Sequence, residues 1–213
     1  MKNYLTEFVG TFFLVLTIGL TVLQGSQFAP LAIGASLMIM VYAGGHVSGG
    51  HYNPAVSLAA MLRGALPKSQ YLPYVASQIL GATVAAYVAC IVMGKTFAPM
   101  PGAGHSAMHA LLIEFLFTFA LCYVVLNSAV SKKTTGNSFY GLAIGFTIVV
   151  AAFAGGAISG GAFNPAVGIG PTIINVISGG GSWGALWIYI VGPLAGAVVA
   201  AMVFGLQEEQ APG

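Results

Sequence analysis

The residues of this chain that could do chemistry are few. Asn53 and Asn164 each open an Asn-Pro-Ala tripeptide, and Glu7 and Glu114 stand at the start of apolar runs. His46 and His51 sit just before the first tripeptide, and His105 and His109 share the string "GAGHSAMH". Two histidines without a nearby Asp, Glu or Cys make a poor metal site, so no metal is expected. "GAGHSAMH" supplies Ser and His but no acid and no nucleophile motif, so no hydrolase is expected. Cys90 and Cys122 both lie inside apolar runs and read as buried thiols, not as a disulfide. Nothing calls for a cofactor. The chemistry left is hydrogen bonding, by amides and carboxylates set in a chain almost without charge.

That setting is a membrane. The 213 residues are 58% hydrophobic and only 5% charged, against roughly 25% charged in a soluble domain. Such a chain cannot cover a water-facing surface, so lipid is its solvent. A net charge of +2 is too small and too scattered to suggest nucleic acid, and no such partner is expected. Lys2 and the run Phe8–Leu23 imitate a signal peptide. Glu7 just before the run, and the lack of a small-x-small cleavage site, read instead as a retained first span.

A membrane-crossing helix needs about 20 mostly apolar residues. Six runs qualify, at about 5–24, 30–47, 70–93, 107–129, 138–157 and 183–206. Two shorter apolar pieces, 54–62 and 165–176, each begin at an Asn-Pro and are too short to cross. With the N-terminus in the cytoplasm, Lys2, Arg63, Lys68, Lys132 and Lys133 fall inside and only Lys95 outside. That bias orients the chain with both termini cytoplasmic.

The polar strings repeat. "AGGHVSGGHYNPAV" and "AGGAISGGAFNPAV" share ten of fourteen positions, 111 residues apart, and "LTEFVGTF" echoes "LIEFLFTF", pairing Glu7 with Glu114. One domain, 1–213, therefore reads as two repeats, about 1–95 and 105–208, each with three spans and one re-entrant piece. Three crossings per repeat put the second repeat upside down. In inverted repeats, discontinuous helices at matching positions point to the substrate path. The fold class expected is an all-α membrane protein with six transmembrane helices and two re-entrant half-helices. The glycine-rich segments Gly44–Tyr52 and Gly155–Phe163 are expected to be irregular backbone, with His46 packed inside the first. Asn is a strong helix N-cap and Pro suits the first helical position, so Asn53-Pro54 and Asn164-Pro165 each start a half-helix. Two such N-termini meeting at the midplane, each with about half a positive charge, repel cations and orient a neutral hydrogen-bonding molecule.

With both Asn-Pro-Ala motifs, the "SGGHYNPAV" loop, the paired glutamates and "YIVGP" at 189–193, the sequence resembles the aquaporin (major intrinsic protein) family over essentially its whole length. The resemblance implies one pore per subunit, a homotetramer, and a membrane channel with no enzyme activity. It makes Asn53 and Asn164 the pore-centre residues, and Glu7 and Glu114 braces for the re-entrant loops. It puts His51 at the inner vestibule. The family's four filter positions fall on Ile33, Ala152, Gly161 and Val167. Water-selective members usually carry Arg where this chain has Val167. The loss removes bulk, charge and donors, and Val there resembles some plant tonoplast intrinsic proteins. "YIVGP" also departs from many water channels, which place Trp at the position of Ile190. The function expected is a passive channel, in the cell (plasma) membrane, for water and small uncharged solutes such as ammonia, hydrogen peroxide, urea or glycerol. Protons and ions are excluded. The alternatives are a narrow water-only channel and, from another class, a coupled transporter.

Overall fold

The computed structural model describes residues 1–178 and 180–209; the C-terminus itself, expected in the cytoplasm, lies outside the described residues. Eight α-helices follow in order: α1 Lys2–Leu23, α2 Ala29–Ser48, α3 Pro54–Leu62, α4 Lys68–Met93, α5 Ala107–Val125, α6 Tyr140–Ser159, α7 Pro165–Ile177 and α8 Ile188–Glu209. Six of them are long and apolar enough to cross a bilayer; α3 and α7 are not. The chain is an integral membrane protein, and its secondary structure among the described residues is all-helical, as expected. The fourth span continues from α5 through a π-helical turn, Leu126–Val130, that the sequence reading did not foresee.

The packing follows the repeat. α1 lies along α4 and α5 lies along α8, while α2 and α6 pack on each other across the middle. Each half-helix then crosses over: α3 leans mainly on α8, and α7 mainly on α4. Neither half could therefore enclose its own half-helix. Helix association in lipid depends on close backbone approach, which small residues allow. Gly34 and Gly145 are that contact for α2 and α6. A Cβ on either one would lie 2.5 Å from the carbonyl oxygen of the other.

The irregular segments are shorter than the sequence suggested. α2 and α6 run through their glycines to Ser48 and Ser159. The glycines inside these helices remain helical, since every carbonyl at that depth needs a partner. Only at Gly49 (φ 90°) and Gly160 (φ 93°) does the chain turn left-handed and end the helix. His46 is consequently an exposed residue of the last turn of α2, not a loop residue.

Candidate functional site

The two half-helices begin in the same way. Asn53 (φ −156°, ψ 121°) and Asn164 (φ −163°, ψ 115°) are extended N-caps, followed by Pro54 and Pro165. Asn53 Oδ1 accepts the amide of Ala55 at 2.8 Å, and Asn164 Oδ1 accepts that of Ala166 at 2.9 Å. The other side of each amide reaches across the repeat. Asn53 Nδ2 donates to the carbonyl of Phe163, and Asn164 Nδ2 donates to the carbonyl of Tyr52, both at 2.9 Å. Each NH₂ has two hydrogens, so one remains for the cavity that both asparagines line.

The residues ahead of the caps are bent into place. Tyr52 (φ 50°) and Phe163 (φ 49°) are left-handed although neither is glycine. Such a conformation persists only where the surroundings fix it. Here two fully buried carboxylates do so. Glu7 Oε1 accepts Ser48 Oγ (2.6 Å) and the His51 amide (3.0 Å), and its Oε2 accepts the Tyr52 amide (2.7 Å) and Gln78 Nε2 (2.8 Å). Glu114 Oε1 accepts Ser159 Oγ (2.7 Å) and the Ala162 amide (3.0 Å), and its Oε2 accepts the Phe163 amide (2.5 Å). Two tyrosines close the cradles from the last helix of each half. Tyr74 donates to the carbonyl of Ser48 (2.9 Å), and Tyr189 donates to that of Ser159 (2.6 Å).

One narrow cavity runs past these groups. Ile33, Ala152, Gly161 and Val167 line it together with Asn53, Asn164 and His51. Most of the remaining wall is aliphatic, including Val56, the first-half counterpart of Val167. The cavity volume is about 40 Å³. One water centre needs roughly 10–15 Å³ of such space, so the cavity has room for about three waters. Toward the face where α1 begins, an open polar vestibule is lined by His46, Gly49, Asn137 and Tyr140, among others. His105 and His109 take no part in either cavity. His109 Nδ1 accepts the Ser106 amide (3.3 Å) while Ser106 Oγ accepts the His109 amide (3.2 Å), a capping box at the start of α5.

Residues 1–204 match the family described as Major intrinsic protein. The chain belongs to the major intrinsic protein family. It is similar to Aquaporin NIP1-1 of Oryza sativa subsp. japonica, at 37% identity over 97% of this chain and 74% of the relative. It is similar to Glycerol uptake facilitator protein-like 6 of Lactiplantibacillus plantarum, at 36% identity over 94% of this chain and 95% of the relative. In fold it is similar to the solved structure of the aquaglyceroporin from Plasmodium falciparum (TM-score 0.86, 21% identity), over 95% of this chain and 94% of that one.

In this major intrinsic protein, sequence reasoning missed Gln78, Ser57 and the tyrosine pair. Gln78 and Ser57 bond to partners up to 71 residues away, and no local pattern carries that. The tyrosines did leave a signal. Tyr74 and Tyr189 each precede a Gly-Ala by the same seven residues, Gly81-Ala82 and Gly196-Ala197. Extending the repeat into α4 and α8 would have paired them.

Proposed function

We propose that water and small uncharged solutes pass down their gradients through the cavity between Asn53 and Asn164, with Ile33, Ala152, Gly161 and Val167 as the selectivity filter. As a member of its family the chain is a passive channel for water and small solutes. The residue roles and the solute range are the proposal. The observation that carries it is the meeting of two asparagine-capped helix starts at one apolar-walled cavity. Each helix start adds about half a positive charge, so cations and protons are repelled while a neutral molecule accepts hydrogen bonds in passing. Coupled transport would need an uncommitted carboxylate on the path. Glu7 and Glu114 instead spend their oxygens on loop amides and hydroxyls.

The filter has no cationic donor, because Val167 stands where an arginine would supply one. Polar solutes then lose hydration with little return, and width governs passage. Urea, glycerol, ammonia and hydrogen peroxide are the solutes proposed. The cavity's small volume favours a second reading, a water-only channel. Stopped-flow light scattering on proteoliposomes separates the two. Wild type should pass urea or glycerol, and Val167→Arg should cut that flux far more than water flux. A wild type that passes water and rejects every larger solute establishes the second reading.

The proposal extends to the setting. Exposed apolar side chains such as Leu5, Phe13, Leu112 and Phe146 fit contact with lipid and with neighbouring copies in a homotetramer. Five of six basic residues lie toward the face where α1 begins, which supports cytoplasmic termini; the plasma membrane is the setting proposed. A single channel domain of two inverted repeats, about 1–95 and 105–208, accounts for the matched cradles.

A further inference from the structure

The polar groups behind His51 form a chain that has no counterpart in the second half. His51 Nδ1 lies 3.0 Å from Ser57 Oγ. Ser57 Oγ accepts Gln78 Nε2 at 2.9 Å, and the same nitrogen donates to Glu7 Oε2 at 2.8 Å. The directions of these bonds follow one from another. Glu7 already faces three other donors, so Gln78 must turn its NH₂ group toward it. That group then spends both hydrogens, one on Glu7 and one on Ser57. Ser57 keeps its own hydroxyl hydrogen, and the acceptor in reach is His51 Nδ1. A ring nitrogen that accepts carries no proton, so the neutral imidazole has its proton on Nε2.

Nε2 stands at a boundary. His51 lines the central cavity. A Cβ placed on Gly49 would lie 2.9 Å from Nε2, and Gly49 lines the open vestibule. A molecule moving from vestibule to cavity therefore passes this nitrogen. At the matching second-half positions, 162, 168 and 193, the chain has Ala, Gly and Pro.

We propose that Ser57 and Gln78 are positioning residues that hold the only ring proton of His51 on Nε2, so that the inner mouth offers a fixed hydrogen-bond donor to a lone pair on the permeating molecule. This rests on the channel reading above. The ligand class is an uncharged molecule with an accepting oxygen or nitrogen, met here before it reaches the asparagine donors.

The test is nitrogen NMR of histidine-labelled full-length protein in bilayers, with His46, His105 and His109 replaced by Gln so that only His51 reports. The background variant should show the Nε2–H tautomer alone. Adding Ser57→Ala should give a mixture of the two neutral tautomers. It should also lower water permeability per channel by about two- to tenfold, the kinetic equivalent of one hydrogen bond. Ser57→Thr, which keeps the hydroxyl, should restore both readouts. An Nδ1–H tautomer in the background variant overturns the proposal, as does Ser57→Ala with tautomer and flux unchanged. Should Ser57→Ala fail to assemble, the background spectrum decides alone. Vesicles that pass no more water than protein-free ones sink the channel reading and this proposal with it, whereas a wrong tautomer sinks the proposal only.

Discussion

The two cradles solve one problem with different resources. Each must hold a left-handed residue, Tyr52 or Phe163, and a helix start beside it. The first surrounds Glu7 with four donors and adds a polar chain through Gln78 and Ser57 to His51. The second gives Glu114 three donors and is otherwise apolar, with Pro193 at the place of Gln78. The packing beneath differs too. Tyr52 fits against Gly10, whose Cβ would strike its ring, whereas Phe163 meets Phe117 edge-on with ring centroids 5.7 Å apart. Backbone geometry is thus common to both repeats, and polarity belongs to one. The lumen inherits that asymmetry: a fixed polar group on the side of His51, an aliphatic wall around Val167.

Swapping each carboxylate for its amide should break the comparison most visibly. In Glu7→Gln, whichever oxygen becomes NH₂ faces two donors. At about 1.5–3 kcal/mol for each bond to a charged group, the loss is about 3–6 kcal/mol. In Glu114→Gln the NH₂ can take the Oε2 side, facing only the Phe163 amide, and the loss is about 1.5–3 kcal/mol. Thermal unfolding in detergent should show the first variant distinctly weaker than the second. Equal losses would mean that bond count does not distinguish the cradles.

A smaller effect should come from Gly10→Ala. The added methyl meets the Tyr52 ring, and overpacking of this kind costs about 1–3 kcal/mol. Phe117→Leu, at the matching position, removes only part of an aromatic contact and should cost less in the same assay. A Gly10→Ala protein as stable as wild type would show that Tyr52 has room to move.

The smallest difference should lie one residue further on. Thr11 Oγ1 donates to the carbonyl of Glu7 at 2.7 Å, while the buried Thr118 Oγ1 has no partner among the described residues. Thr11→Val should lose about 1 kcal/mol, whereas Thr118→Val should be neutral or slightly stabilising, because it removes an unsatisfied group. A marked loss on Thr118→Val would reveal a partner for that hydroxyl.

Much of this was legible in the sequence, and the parts that were not share a cause. The half-helix starts could be read because Asn-Pro is a local signal, and the bounds 54–62 of the first matched α3. The spans were legible from apolar length alone, though the last begins at Ile188 after short turns near Trp183 and Trp187. Residues 44–48 and 155–159 misled because glycine next to glycine looks irregular, yet in lipid such a run stays helical and packs closely. The convergence of Ile33, Ala152, Gly161 and Val167 on one cavity was anticipated through family resemblance, not through any physical signal within the chain. Gln78 and Ser57 were silent because a polar residue in an apolar helix announces only that it has a partner, not which one.

The crossed bonds of Asn53 to Phe163 and of Asn164 to Tyr52 join the two repeats, so they can form only once both have been made. When the first repeat has left the ribosome, its loop already has Glu7, Gln78 and Tyr74, all supplied by its own residues. The carbonyl of Tyr52 and the amide of Asn53 have no such provision, and their partners are not yet made. Until those partners arrive, the half-built protein is braced but unfinished at its tip. Insertion of the second repeat supplies both missing groups at once, and it is this late closure that commits two half-channels to being one.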